Sequence, residues 1–250
     1  QLLYRFDPGT NQLCGYTLPG GNHSWYLLYD APYLWMGDWV QARIVRFNTT
    51  TLEVTYWGAG NKAEPRGLAL DAAGDLWFAD MSTGKIGRLN PETNALTLFS
   101  LPDAGSPNYG RPYSVVVDAG VVWYTAQGDE VGTIGKLDPA QVPGSTTTAK
   151  LYTFTSAETC LPIGAGTTST VSVTGATWGE PWTTRTWIDV SSTSPAGWMV
   201  YEAPGAEMPY GISIIGDRLW FTDQMYNKLL RVAIPTPAPT ATPTQTPTST

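Results

Sequence analysis

The segment Pro65-Arg66-Gly67-Leu68-Ala69-Leu70-Asp71-Ala72-Ala73-Gly74-Asp75-Leu76-Trp77-Phe78-Ala79-Asp80, followed by Gly84-Lys85-Ile86-Gly87-Arg88-Leu89-Asn90-Pro91, decides the fold. Gly67 to Leu70 reads as one short strand, Leu76 to Ala79 as a second beyond an Asp/Gly turn, and Lys85 to Leu89 as a third. Leu96 to Phe99 adds a fourth. The third-strand phrase recurs as Leu3-Tyr4-Arg5-Phe6-Asp7-Pro8, Ile44-Val45-Arg46-Phe47-Asn48, Ile134-Gly135-Lys136-Leu137-Asp138-Pro139 and Leu229-Leu230-Arg231-Val232. With the basic residue as ruler the successive gaps are 41, 42, 48 and 95, the last spanning two periods. Repeats of about 40–45 residues mark propeller blades, each of which buries its apolar faces only against its neighbours.

The same grammar extends to both sides of this unit. It appears from Tyr26 to Trp57, from Ser114 to Phe154 with an insertion around Pro143-Gly144-Ser145-Thr146, and from Gly211 to Val232. A degenerate unit, roughly Thr168 to Glu202, carries Trp178, Trp182, Trp187 and Trp198, whose first use is packing between blades. Leu2 to Leu18 supplies only a third and a fourth strand, and the last unit supplies the first three and stops at Ile234. The reading is an all-β propeller of five to six four-stranded blades with incomplete terminal blades over residues 1–234, and almost no helix. An unpaired terminal edge templates a strand from another chain, unless the monomer covers it.

Composition narrows the function. The 250 residues carry a formal charge of −7. Nucleic acid and anionic membrane surfaces select for clustered Lys and Arg, so neither is an expected partner. No apolar run approaches the roughly 20 residues of a membrane-spanning helix. Gln1 fits the first residue of a processed chain, and secretion or cell-surface display is the expected localisation. His23 is the only histidine and there is no Cys-x-x-Cys pair, which excludes the usual zinc site. Cys14 and Cys160 allow one disulfide, with two half-buried thiols as the alternative.

From residue 235 to 250 the chain becomes an extended Pro/Thr segment with no apolar residue larger than Ala or Pro. It cannot pack a core and reads as a linker or stalk. The hydroxyls of Thr236, Thr240, Thr242, Thr244, Thr246, Thr248, Ser249 and Thr250 are candidates for O-linked sugars. Asn22-His23-Ser24 and Asn48-Thr49-Thr50 are sequons that permit N-glycosylation at Asn22 and Asn48.

The string from Pro65 to Pro91 resembles the blade repeat of the virginiamycin B lyase (streptogramin lyase) family, as do Met208-Pro209-Tyr210-Gly211-Ile212 and Leu219-Trp220-Phe221-Thr222-Asp223. The resemblance covers most of residues 1–234. It implies a seven-bladed propeller and, for the enzymes of the family, magnesium-assisted opening of a cyclic depsipeptide by elimination. That chemistry uses histidines and glutamates on one ring face, with a histidine after the blade-opening proline and an acid closing the Trp-Phe-Thr strand. In this chain the post-proline positions hold Arg66, Tyr113 and Tyr210, and the strand ends hold Asp80, Ala126 and Asp223. An elimination needs a base, and an acid or metal at the leaving oxygen. Asp80, Asp223, Glu180 and Glu207 offer oxygen ligands for magnesium or calcium only if the ring gathers them, whereas scattered carboxylates usually serve turns and solvent. No cofactor is expected.

Three functions follow. The first is a non-catalytic extracellular structural and interaction module, in its strongest form a glycosylated, self-assembling fibre subunit whose partners are copies of itself. The second is a stalk-mounted propeller that binds carbohydrate or peptide at a ring face lined by Arg66, Tyr113, Tyr210 and Trp182. The third is the lyase, and the first is favoured.

Overall fold

The computed structural model describes residues 2–10, 12–20, 23–102, 110–127, 132–162, 188–189, 198–202, 209–223 and 228–233. They form strands β1 (Leu2–Asp7), β2 (Gln12–Thr17), β3 (Ser24–Asp30), β4 (Tyr33–Asp38), β5 (Arg43–Asn48), β6 (Glu53–Gly58) and β7 (Pro65–Leu70). Next come β8 (Leu76–Asp80), β9 (Lys85–Asn90), β10 (Ala95–Ser100), β11 (Arg111–Asp118), β12 (Val121–Gln127), β13 (Thr133–Leu137) and β14 (Ser145–Thr148). The rest are β15 (Leu151–Thr155), β16 (Glu158–Pro162), β17 (Ile188–Asp189), β18 (Trp198–Glu202), β19 (Pro209–Ile215), β20 (Arg218–Asp223) and β21 (Lys228–Ala233). No helix occurs among the described residues.

The strands build five antiparallel sheets, the blades of a propeller: β1-β2-β16, β3-β4-β5-β6-β15, β7-β8-β9-β10-β14, β11-β12-β13-β18-β17 and β19-β20-β21. The recurring phrase has a physical reason. Its basic residue stands directly across from the tryptophan of the second strand: Arg46 from Trp35, Arg88 from Trp77, and Lys136 from Trp123. The charged ends lie 5.4, 5.4 and 5.6 Å from those rings. Each such contact contributes about 0.5–1 kcal/mol and roofs a large apolar ring with a solvated charge. One position earlier, Gly87 and Gly135 face Phe78 and Tyr124. A Cβ on Gly87 would sit 2.1 Å from the Phe78 ring and one on Gly135 1.8 Å from the Tyr124 ring, so glycine is the residue that lets the aromatic lie flat across the ladder.

Four cores join successive blades. Tyr16 packs against Phe47 and Tyr56 between the first and second, and Trp35, Trp57, Phe78 and Leu89 lie between the second and third. Trp77, Phe99, Val115 and Tyr124 join the third to the fourth, and Trp123, Ile134, Leu219 and Phe221 the fourth to the fifth. Among the described residues no fifth core joins the last blade to the first.

Two sequence expectations are corrected here. Leu151 to Phe154 does not complete the Ser114 unit, and residues 168–202 do not form a separate sheet in their described part. β18 is the fourth strand of the β11–β13 blade, with β17 beside it. The insertion instead walks back along the outer edges of three blades, β14 on β10, β15 on β6 and β16 on β2. Between these strands Ala149 N–H donates to Asn94 O (2.8 Å), Gly58 N–H to Lys150 O (2.9 Å) and Ser156 N–H to Leu52 O (2.8 Å). Cys14 and Cys160 are register partners at the end of this belt and are joined in a disulfide. Beside it Glu158 accepts from the Tyr16 hydroxyl (2.7 Å) and from Arg5 (3.4 Å).

The belt buries few side chains, with β14 and β15 exposed along their whole length. Its anchorage therefore rests on backbone bonds and on the crosslink. Replacing both cysteines by serine is expected to destabilise the protein by about 2–5 kcal/mol. Hydrogen exchange should then rise first in residues 158–162, while Lys85–Asn90 in the third blade keeps its protection.

Candidate ring-face site

All four innermost strands break register at the same place. The ladder slips between Ser24 and Leu27 in β3, Pro65 and Leu68 in β7, Pro112 and Ser114 in β11, and Pro209 and Ile212 in β19. A bulge bends the strand and re-aims the side chain within it. Proline is tolerated there because that position need not donate to the ladder. The residues so presented, one per blade, are Trp25, Arg66, Tyr113 and Tyr210.

They meet in one cluster. The Tyr113 and Tyr210 rings lie 4.0 Å apart, and Tyr26 approaches Tyr113 edge-on at 6.2 Å. The Arg66 guanidinium carbon lies 4.8 Å from the Trp39 ring, 5.3 Å from Trp25 and 5.8 Å from Tyr113. Its Nη2 donates to Glu64 Oε2 at 3.2 Å. Arg66 is 8% exposed and Tyr113 2%, while Trp25 is 60% exposed at the rim. Two buried polar nitrogens here, Arg66 Nε and His23 Nδ1, have no hydrogen-bond partner. Both border Trp39, whose ring takes the His23 imidazole edge-on at 6.2 Å. The Thr125 hydroxyl ties two inner strands together, accepting from Ser114 N–H (3.1 Å) and donating to Tyr210 O (2.8 Å).

The structure thus brings together Arg66, Tyr113 and Tyr210 of the residues expected from sequence. Trp182, Asn22, Glu180, Glu207, Trp178, Trp187 and the tail hydroxyls from Thr236 to Thr250 lie outside the described residues. Asn48 ends β5, half-buried, and its Oδ1 accepts from Thr50 and Thr51 N–H at 2.9 and 3.0 Å. Trp25, Tyr26 and Trp39 were not anticipated. The second blade opens with Ser24 where three others open with proline, so a proline ruler passes over it. The alignment of Asp38 with Asp80 at the ends of the second strands would have found it.

The strand-end acids Asp80 and Asp38 serve turns. Asp80, 1% exposed, accepts from Glu64 N–H (2.8 Å), Thr83 N–H (3.4 Å) and the Thr83 hydroxyl, and burial raises its pKa. Asp38 accepts from His23 N–H (3.3 Å), Gln41 N–H (3.2 Å) and Arg43 Nε (3.0 Å). The grouping of metal-ligating residue types found among the described residues is Cys14, Glu158 and Cys160, in which both sulfurs are already bonded to each other. The cluster's own chemistry is that of neutral phenols around a paired cation. Burial, then the Tyr210 hydrogen bond, pushes the Tyr113 hydroxyl well above its usual range, and burial raises Tyr26 as well.

No protein-family model matches the chain, and no curated protein matches it. Among solved structures it is similar to a streptogramin B lyase, at 15% identity over 94% of this chain and 66% of that one, with a TM-score of 0.46. It is similar to a selenomethionine-substituted virginiamycin B lyase from Staphylococcus aureus, at 16% identity over 94% and 70% with a TM-score of 0.48. A nidogen/laminin complex also matches, at 15% identity over 93% and 89% with a TM-score of 0.42. The chain spans 66% of the length of the first of these. Neither activity nor partner carries over from likenesses at this level.

The tyrosine shifts set an alkaline limit. The unfolded phenol ionises near 10.0, whereas the folded Tyr113 and Tyr26 hold their protons to higher pH, so stability is complete below pH 10 and falls as pH rises beyond it. Urea midpoints measured from pH 8 to 11.5 should fall above pH 10. Tyr113→Phe should flatten that fall, and an unchanged slope would contradict the assignment.

Proposed function

We propose that this chain is a non-catalytic, secreted or cell-surface propeller that works as a structural and interaction module, and that copies of it assemble through the side of the ring its own described strands leave open. The observation that carries this reading is that, among the described residues, no core joins the last blade to the first. β1 pairs with β2 on one side and with nothing on the other among the described residues.

Large apolar side chains line the three faces turned toward this opening. In β3, Leu28 packs into the core toward the third blade, which turns Leu27 and Tyr29 the other way, 60% and 64% exposed. In β1, Leu3 packs toward the second blade and leaves Tyr4 and Phe6 57% and 52% exposed. In β19, Ile214 packs toward the fourth blade and Ile215 is 62% exposed. An unpaired edge flanked by apolar faces suits a strand contributed by a second copy, with backbone bonds giving affinity and side-chain pockets giving register. Head-to-tail repetition of that contact makes a fibre. Sugars on the Pro/Thr segment and the sequons would keep such a fibre hydrated and laterally separate.

The lyase reading is disfavoured by the turn hydrogen bonds that engage Asp38 and Asp80. Sedimentation and negative-stain microscopy test the assembly. The purified chain should form particles well above 27.1 kDa, and Tyr4→Lys with Leu27→Lys should reduce them to single chains by placing charges on the edge and its wall. A wild-type chain that stays at 27.1 kDa across a hundredfold range of concentration would overturn the proposal.

A further inference from the structure

We propose that the ring-face cluster is a binding site for a neutral carbohydrate, with Trp25 as the stacking platform and Arg66 and Glu64 as the polar pair that engages its hydroxyls. This inference is independent of assembly, because Trp25 belongs to the ring face through its contact with Arg66 and not to the open side.

The first support is the unmatched pair of buried nitrogens. Arg66 is more than nine-tenths buried, its Nη2 is taken by Glu64, and its Nε has no acceptor. His23 Nδ1, whose imidazole meets Trp39 edge-on, has none either. A buried polar group left unsatisfied costs about 1–3 kcal/mol, and Arg66 is held by its own bulged strand and by rings from two others, Trp25 and Tyr113. An incoming oxygen would relieve that cost.

The second support is the shape of the donor set. Trp25 is an exposed indole lying 5.3 Å from the guanidinium, a flat apolar surface beside a polar pair. A pyranose ring has the complementary shape, one face of C–H groups and a rim of hydroxyls that both donate and accept. Arg66 offers the donor, and the Glu64 side chain, one-third exposed, offers the acceptor. Tyr26 and Tyr113 keep their protons, so the phenols add neutral hydroxyls and no charge.

Charge separates a neutral sugar from an anionic ligand. Arg66 is already compensated by Glu64, and the chain carries −7 overall, so a phosphate or uronate meets no free cation and a repelling carboxylate. The four presenting positions sit on strands hydrogen-bonded into their sheets, so little backbone ordering is needed on binding.

Isothermal titration of the purified chain with maltopentaose, cellopentaose, xylopentaose and mannopentaose, and with tetragalacturonate as the anionic comparator, tests the proposal. At least one neutral oligosaccharide should bind and quench tryptophan fluorescence. Trp25→Ala, at an exposed position that leaves the core intact, should weaken it about tenfold, equivalent to about 1.4 kcal/mol. Glu64→Gln should weaken it as well, and circular dichroism should show both variants folded. Failure of all four neutral sugars to bind, tighter binding of tetragalacturonate, or binding indifferent to both substitutions would each overturn it.

Discussion

The contact on which the propeller depends is the cross-strand pair between the second-strand tryptophan and the third-strand basic residue, with the aromatic-over-glycine pair beside it. In the second, third and fourth blades the tryptophan is 2–3% exposed, walled by the neighbouring blade and roofed by Arg46, Arg88 or Lys136. Phe78 and Tyr124 lie flat only because Gly87 and Gly135 carry no side chain. Each pair joins two strands: the tryptophans present a flat apolar face to the next blade in three of the four cores, and Phe78 and Tyr124 present theirs to the preceding blade. This pairing explains why the same short phrase recurs so faithfully. Arginine and lysine are the residues that cover an indole with methylenes while keeping a charge in water.

Those pairs are what made the fold legible. Trp77 and Arg88 stand at fixed spacing within one unit, and the interaction is local enough to leave a periodic mark. The belt left none. β14 and β15 are exposed at every position, so they show no alternation, and their partners β10 and β6 lie far away in sequence. Pairing of that kind is set by backbone geometry, and the fourth strand of the fourth blade, β18, was misassigned for the same reason. The pairing of Cys14 with Cys160 depended on the belt's register and was open until that register was known. At the ring face Arg66, Tyr113 and Tyr210 were visible because proline marks the bulge, whereas Trp25 follows a serine and was not.

The belt and the open side are two treatments of one problem, the exposed strand edge. Along three blades the chain covers its own outer edges with residues 145–162 and crosslinks the end of that cover to β2. At the first blade the inner edge of β1 keeps its backbone groups unpaired among the described residues, beside Tyr4 and Phe6. Protecting the outer edges while presenting an inner one is what the proposed association through a single side requires. The ring face adds a second, chemically different surface, aromatic and hydrogen-bonding, on the innermost strands.

Cryo-electron microscopy of assembled material at a resolution that traces strands tests the central claim most directly. Continuous density for a strand of a neighbouring copy, hydrogen-bonded to the free edge of Leu2–Asp7 and packed on Leu27 and Tyr29, is the predicted result. Density there that traces to residues of the same chain, or solvent against that edge, would contradict it.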